Sequence, residues 1–210
     1  MGSKKIKASK RISKLPKHYA RAPLTEALID IRVELPSEVG LPNLLTLQTG
    51  QENTYPNRQE CQIAHGEMSV GSEVRASARQ TSNGYRFSSQ DNRQIFQARR
   101  DGFAFNRLAP YETWESFRDE ARRLWTLYRS IANPKNITRI GVRYINRLDL
   151  PLPITDFKDY LRTVPEISSS MSQGLSSYFM QLQLPQRDLN AMLVLNQALI
   201  PPPTSKLVSV

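Results

Sequence analysis

Few residue types in this chain could do chemistry, and their spacing decides how far each can be taken. Cys61 and His65 stand four apart, so on a helix they would offer two metal ligands on one face. A zinc site needs four ligands, or three and a water, and His18 is the only other histidine. A surface pair is the plainer account. Asp149, Asp156 and Lys158 have the residue types of a metal-dependent nuclease, in which acids gather a divalent ion and a lysine neighbours the scissile phosphate. Asp156-Phe157-Lys158 also opens a short apolar-periodic segment, where an acid is an ordinary N-terminal stabiliser. That ordinary role is favoured, and a metal-dependent hydrolase stays the weakest functional reading. No Gly-x-x-x-x-Gly-Lys or Gly-x-Gly-x-x-Gly segment occurs, which removes nucleotide binding by those routes. Two histidines are also too few to make nucleophilic catalysis a natural expectation. No catalytic residue, metal site or cofactor is expected.

The sharper candidate is a row of arginines. Arg139, Arg143 and Arg147 share one face of a strand read over 138–148, spaced about 13 Å from one to the next. Guanidiniums so arranged can hold phosphates or carboxylates in pairs of hydrogen bonds. The competing role, which is favoured, is cross-strand pairing with Asp30 and Glu34, whose strand presents its acids in the same alternating way. The other face of the strand, with Ile140, Val142, Tyr144 and Leu148, is expected to pack on a helix.

That helix is read over 113–131. Trp114, Phe117, Ala121, Leu124, Trp125, Tyr128 and Ile131 recur at spacings of three and four, with Thr113 as N-cap and Asn133-Pro134 as stop. Both tryptophans are expected inside. Three short strands precede the helix, at 84–87, 95–99 and 103–108, separated by Asp91-Asn92 and by an Asp101-Gly102 turn. Earlier still, Ile29, Ile31 and Val33 alternate with Asp30, Arg32 and Glu34 in a half-buried strand. A short helix can begin near Pro42, and 67–79 reads as one exposed strand. Beyond Leu150 the reading is a short helix over 156–164 burying Phe157, Tyr160 and Leu161. Strands follow at 178–184, at 191–199 (taken as central because it is apolar on both faces) and from 207.

The fold class is therefore α+β: an antiparallel sheet from two related β-β-β-α halves, with a long amphipathic helix packed on one face. The domain spans 19–210, with halves at about 19–150 and 151–210. The second half has no counterpart of the long helix, which makes it incomplete and leaves an apolar face and a strand edge exposed.

The net charge of +10 is local. Residues 1–22 hold eight lysines and arginines, including Lys4, Lys5, Lys7, Lys10 and Arg11, and no acid. The remainder carries 21 basic against 19 acidic residues. A tail over 1–18 is expected to be disordered, and could act as an electrostatic arm for nucleic acid together with the arginine row. No apolar run suits a membrane span, and one cysteine fits a reducing compartment, so the expected location is the cytoplasm.

Three segments resemble a sporadically distributed family of uncharacterised bacterial proteins: Pro23-Leu24-Thr25-Glu26-Ala27 before the first long strand, Tyr111-Glu112-Thr113-Trp114-Glu115-Ser116-Phe117 at the helix start, and Arg139-Ile140-Gly141-Val142-Arg143-Tyr144-Ile145-Asn146-Arg147. The resemblance covers about 19–210 and implies a cytosolic bacterial protein with no assigned activity, whose members continue with a further strand and helix. It does not include the basic leader. Sequence and resemblance together point to a non-catalytic binding or adaptor module, working through a sheet face or edge on a protein partner or a second copy. Nucleic-acid binding is the alternative.

Overall fold

The computed structural model describes residues 19, 22–70, 74–154, 156–168, 170 and 175–210. In chain order the elements are β1 (Leu24–Glu34), α1 (Leu41–Leu45), β2 (Asn57–Val70), β3 (Val74–Ser88), β4 (Gln94–Arg99), β5 (Gly102–Leu108), α2 (Trp114–Ala132), β6 (Asn136–Asn146), β7 (Asp149–Pro151), β8 (Phe179–Gln186), β9 (Ala191–Ala198) and β10 (Leu207–Ser209). The chain divides into two units, 26–143 forming the body of one and 144–210 with 23–25 the other; β1 and β6 run across the division. Mixed α and β structure with a large antiparallel sheet is thus established. The tail over 1–18 lies outside the described residues.

In the first unit the sheet order is β2-β3-β4-β5-β1-β6. The antiparallel β1–β5 register places Ile29 opposite Phe105 and Ile31 opposite Phe103. The β4–β5 register sets Phe96 against Phe105 and Ala98 against Phe103. Since side chains alternate along a strand, these apolar residues line one face. That face is the core: Ala27, Ile29, Ile31, Val33, Phe96, Ala98, Phe103 and Phe105 are all buried. Phe87 extends it, stacked on Phe96 with centroids 4.7 Å apart.

α2 covers this face. Its Thr113 side chain accepts from the Ser116 N–H at 3.1 Å, as an N-cap should. Asn133 adopts a left-handed conformation at the other end, its N–H bonded to the Arg129 carbonyl before Pro134. Phe117, Ala121, Leu124, Tyr128 and Ala132 are buried, Phe117 stacking on Phe105 at 5.5 Å. Trp125 is half-buried, packed between Phe103 and Tyr128. Trp114 is 38% exposed and forms the margin of the layer, so only one of the two tryptophans lies over the core.

The helix stripe packs on β5 and its neighbours, and the expected partner, the apolar face of β6, is uncovered. Other expectations are also corrected. The stretch read as a single strand over 67–79 belongs to two, β2 ending at Val70 and β3 starting at Val74. The β4–β5 turn is Arg100-Asp101, one residue earlier than Asp101-Gly102, because Arg99 pairs with Gly102. Gly102 is needed there for another reason: a Cβ on it would overlap the Ile31 carbonyl oxygen.

In the second unit β7 pairs with β10 and β8 with β9 as separate two-stranded sheets. Leu150 and Ser209 are its buried residues among those described. The segment expected as a helix over 156–164 contains only a 3-10 turn at Phe157–Asp159, with Tyr160 exposed. β9 is not central: it is half of a hairpin, and Met192, Leu193, Val194 and Leu195 are exposed, as is Phe179 on β8 at 70%. A two-stranded ribbon has no second layer to bury the side chains of either face.

Candidate interaction surface

Opposite the α2 side, the first sheet is polar, and its charges converge at one end. Asp30 accepts from three arginines: Arg99 Nη2 at 2.6 Å, Arg32 Nε at 3.1 Å and Arg139 Nη1 at 3.2 Å. Arg32 also pairs with Asp101 in the β4–β5 turn, and Arg99 Nε lies 3.5 Å from the same carboxylate. The register of β2 against β3 slips at Cys61/Gln62, leaving Asn83 as a bulged residue. Its amide then donates to Asp101 at 2.8 Å while its carbonyl accepts from the Arg100 N–H. Burial opposes ionisation of Asp30, but Arg99 and Arg32 outweigh it, and the carboxyl stays below its ordinary value. Three guanidiniums and two carboxylates thus balance one another in charge, with the Arg99 Nε–H left as the one buried donor of the cluster that makes no hydrogen bond among the described residues. The cluster fixes the end of the sheet and has no vacant group aimed at a ligand.

The arginine row is divided by this arrangement. Arg139 spends its charge on Asp30. Arg147, in the second unit, pairs with Asp149 at 2.9 Å and also reaches the Pro201 carbonyl and Ser209. Arg143 is exposed and makes no ion pair with a described residue. Glu34 bonds to Asn136. Lys4, Lys5, Lys7, Lys10 and Arg11 lie outside the described residues.

The acids considered for a hydrolytic site have structural partners. Asp149 accepts from Arg147 and from the Ser209 hydroxyl, which together hold its carboxyl below the usual range. Asp156 accepts from the Lys158 N–H as the cap of the 3-10 turn, and Lys158 pairs with Glu166. No group of three or more His, Cys, Asp or Glu able to hold a metal occurs among the described residues. Cys61 is half-buried, which pushes its thiol up, while His18 and the His65 side chain lie outside what is described.

A second polar cluster joins α2 to the loop after α1. The fully buried Tyr55 donates to Glu120 at 2.7 Å, and Arg123 grips the same carboxylate at 2.8 and 2.9 Å. Burial pushes the Tyr55 phenol up, and Glu120 reinforces the shift, so Tyr55 is a permanent donor. Beside it, Gln94, Phe105, Arg107 and Thr113 line a cavity of about 70 Å³, room for roughly two waters. The cluster anchors the helix.

Besides Arg143, β6 leaves apolar side chains open among the described residues. β6 ends the sheet order, and Ile140 and Val142 are 65% and 49% exposed, while Ile29 and Ile31 on neighbouring β1 are each 8% exposed. Alternation predicted which residues share a face, but could not reveal that α2 stops short of this strand. Compared with models of known protein families, with curated proteins and with solved structures, the chain matches none. No helix among the described residues is long and apolar enough to cross a membrane.

Proposed function

We propose that this chain is a non-catalytic, cytoplasmic binding or adaptor module whose working surface is β6. The observation that carries the reading is the exposure of Ile140 and Val142, which share one face of the terminal strand of a six-stranded sheet. Scattered apolar residues on a surface need no explanation, but adjacent ones left open on one face of a terminal strand do. Such a strand with an open edge is a template for pairing with another chain. The polar clusters support the same reading indirectly, because their charged groups are consumed in holding the sheet and helix together.

A photo-crosslinking amino acid placed at Val142 tests the proposal in cells expressing the chain. It should give a discrete adduct that is absent when the crosslinker replaces Thr126, exposed on α2. Equal labelling from both places, or none from Val142, removes the reading.

Nucleic-acid binding keeps one observation in its favour, the exposed Arg143, which makes no ion pair among the described residues. With Arg139 and Arg147 already facing carboxylates, the strand alone supplies little phosphate affinity. Titrating labelled DNA and RNA against the chain over a salt series decides it: absent or salt-insensitive binding rules this reading out.

A further inference from the structure

We infer that the outer edge of β6, over residues 137–143, takes an extended acidic segment of a partner protein as an added strand. The inference rests on the reading of β6 as the working surface and names the chemistry of its occupant.

The strand already paired with β6 shows what suits it. β1 alternates apolar Ile29, Ile31 and Val33 with polar residues that include Asp30 and Glu34. Its Glu34 carbonyl accepts from the Lys135 N–H, and Asp30 receives Arg139, so the two strands run antiparallel with acid facing base. The outer edge offers the same complement with no strand on it among the described residues. Its main-chain groups are the generic part of the recognition, and the side chains supply the choice of sequence.

On the polar face, Arg143 has no ion-pair partner among the described residues. Arg139, though bonded to Asp30, is itself 60% exposed. Its guanidinium folds over Gly141, 3.1 Å from where a Cβ would stand, which places Arg139 and Gly141 on one face. Arg143 follows by alternation. A glycine between two arginines leaves the floor low, so a carboxylate from a neighbouring strand can approach both. On the opposite face Ile140 and Val142 offer apolar neighbours for alternate side chains of the incoming strand. A second copy pairing through β6 is the less favoured occupant. It would bring more arginines to the same face, and Asn136–Asn146 contains no acid to meet them.

The experiment uses the full chain and two labelled synthetic peptides of equal length, one alternating valine with glutamate and one alternating valine with lysine, read by fluorescence anisotropy. The glutamate peptide should bind and the lysine peptide should not. Arg143→Glu should weaken the glutamate peptide about tenfold and confer binding of the lysine peptide. Arg143→Gln should weaken the first by less than Arg143→Glu does and should not gain the second, and Arg118→Glu on α2 should change neither. Because Arg143 is exposed, both variants should melt like the parent. Equal binding of the two peptides, binding of neither, or a self-associated chain that Arg143→Glu dissociates would overturn the inference. If neither peptide binds while the Val142 crosslinker still gives its discrete adduct, only the acidic-strand inference falls; if the adduct is missing too, the reading of β6 falls with it.

Discussion

β1 and β6 are neighbours in one sheet, and both alternate apolar with charged residues, but they are spent differently. Ile29, Ile31 and Val33 of β1 are closed under the layer that α2 completes, while Ile140 and Val142 of β6 remain open. The apolar residues are of the same kind on the two strands, and only the charges differ, mostly acidic on β1 and basic on β6. What sets their cover apart is the reach of one helix. α2 is fixed over β5 by Phe105–Phe117 stacking and by Phe103 against Trp125 and Tyr128. A single α-helix with its side chains is about 10–12 Å across and can cover only two or three strands spaced about 4.8 Å apart. The sixth strand is left to whatever else can cover it.

The largest effects should come from the covered side. Phe103→Ala removes a fully buried ring from beneath α2 and should cost about 3–5 kcal/mol, with Leu124→Ala close behind, measured by denaturant unfolding. Loss of less than about 1 kcal/mol at both sites would mean that the helix and sheet do not pack as described. The polar face comes next. Asp30→Ala leaves Arg99, which is largely buried, without its main carboxylate and should cost about 2–3 kcal/mol, below the full price of a buried pair because Arg32 and Arg139 are partly exposed. Since the folded-state pKa of Asp30 is depressed, the unfolded chain binds the extra proton in acid. Its contribution is therefore complete above about pH 5 and is lost as pH falls through and below the ordinary carboxylate range. Asp30→Asn should flatten that acid limb in a stability–pH profile, and an unchanged limb would remove Asp30 as its source.

A smaller effect is expected where the helix is pinned. Tyr55→Phe deletes the donor to Glu120 but leaves Arg123 on that carboxylate, so the loss should be about 1 kcal/mol. A double-mutant cycle with Glu120→Gln should show the two positions coupled. Additive effects would mean that the phenol and carboxylate are not bonded in solution.

The legible parts of the fold were those written in short stretches of chain. α2 could be read because its cap, stripe and stop all lie within about twenty residues, and Thr113 and Asn133 do what their types suggest. β1 could be read from its alternation. Which surface the helix meets is a non-local matter, and the sequence order of α2 and β6 suggested a partner that the sheet order replaces with β5. The charge cluster escaped for the same reason. Asp101 looked like a turn residue, Asp30 like a partner for the arginine row alone, and neither Arg99 nor Asn83 gave a signal, since a bulge exists only relative to the strand beside it. A signal was available in the alternation: Asp30, Arg32 and Glu34 put opposite charges on one face of β1, where pairing with neighbouring strands is favourable. The arginine row was legible as a row and Asp30 as a cross-strand partner, which Arg139 takes, but Glu34 bonds to Asn136 instead, and Arg147 takes the local Asp149.

The smallest effect is the most discriminating. Threonine keeps a β-branched shape and strand preference while putting a hydroxyl in place of valine's methyl or isoleucine's ethyl group, so it probes cover more than conformation. Ile31→Thr should cost about 2–3 kcal/mol, because it buries a hydroxyl in the apolar layer and deletes packed atoms. Ile140→Thr and Val142→Thr should change stability by no more than about 0.5 kcal/mol, because those side chains already meet water. Thermal unfolding of the three variants, at two protein concentrations, checks the contrast directly. If Ile140→Thr costs as much as Ile31→Thr in dilute solution, the apolar face of β6 is covered within the chain and cannot be its working surface. If it costs as much only at high concentration, the cover is a second copy. A cost that is negligible at both concentrations leaves the strand open, which is the state that a partner strand requires.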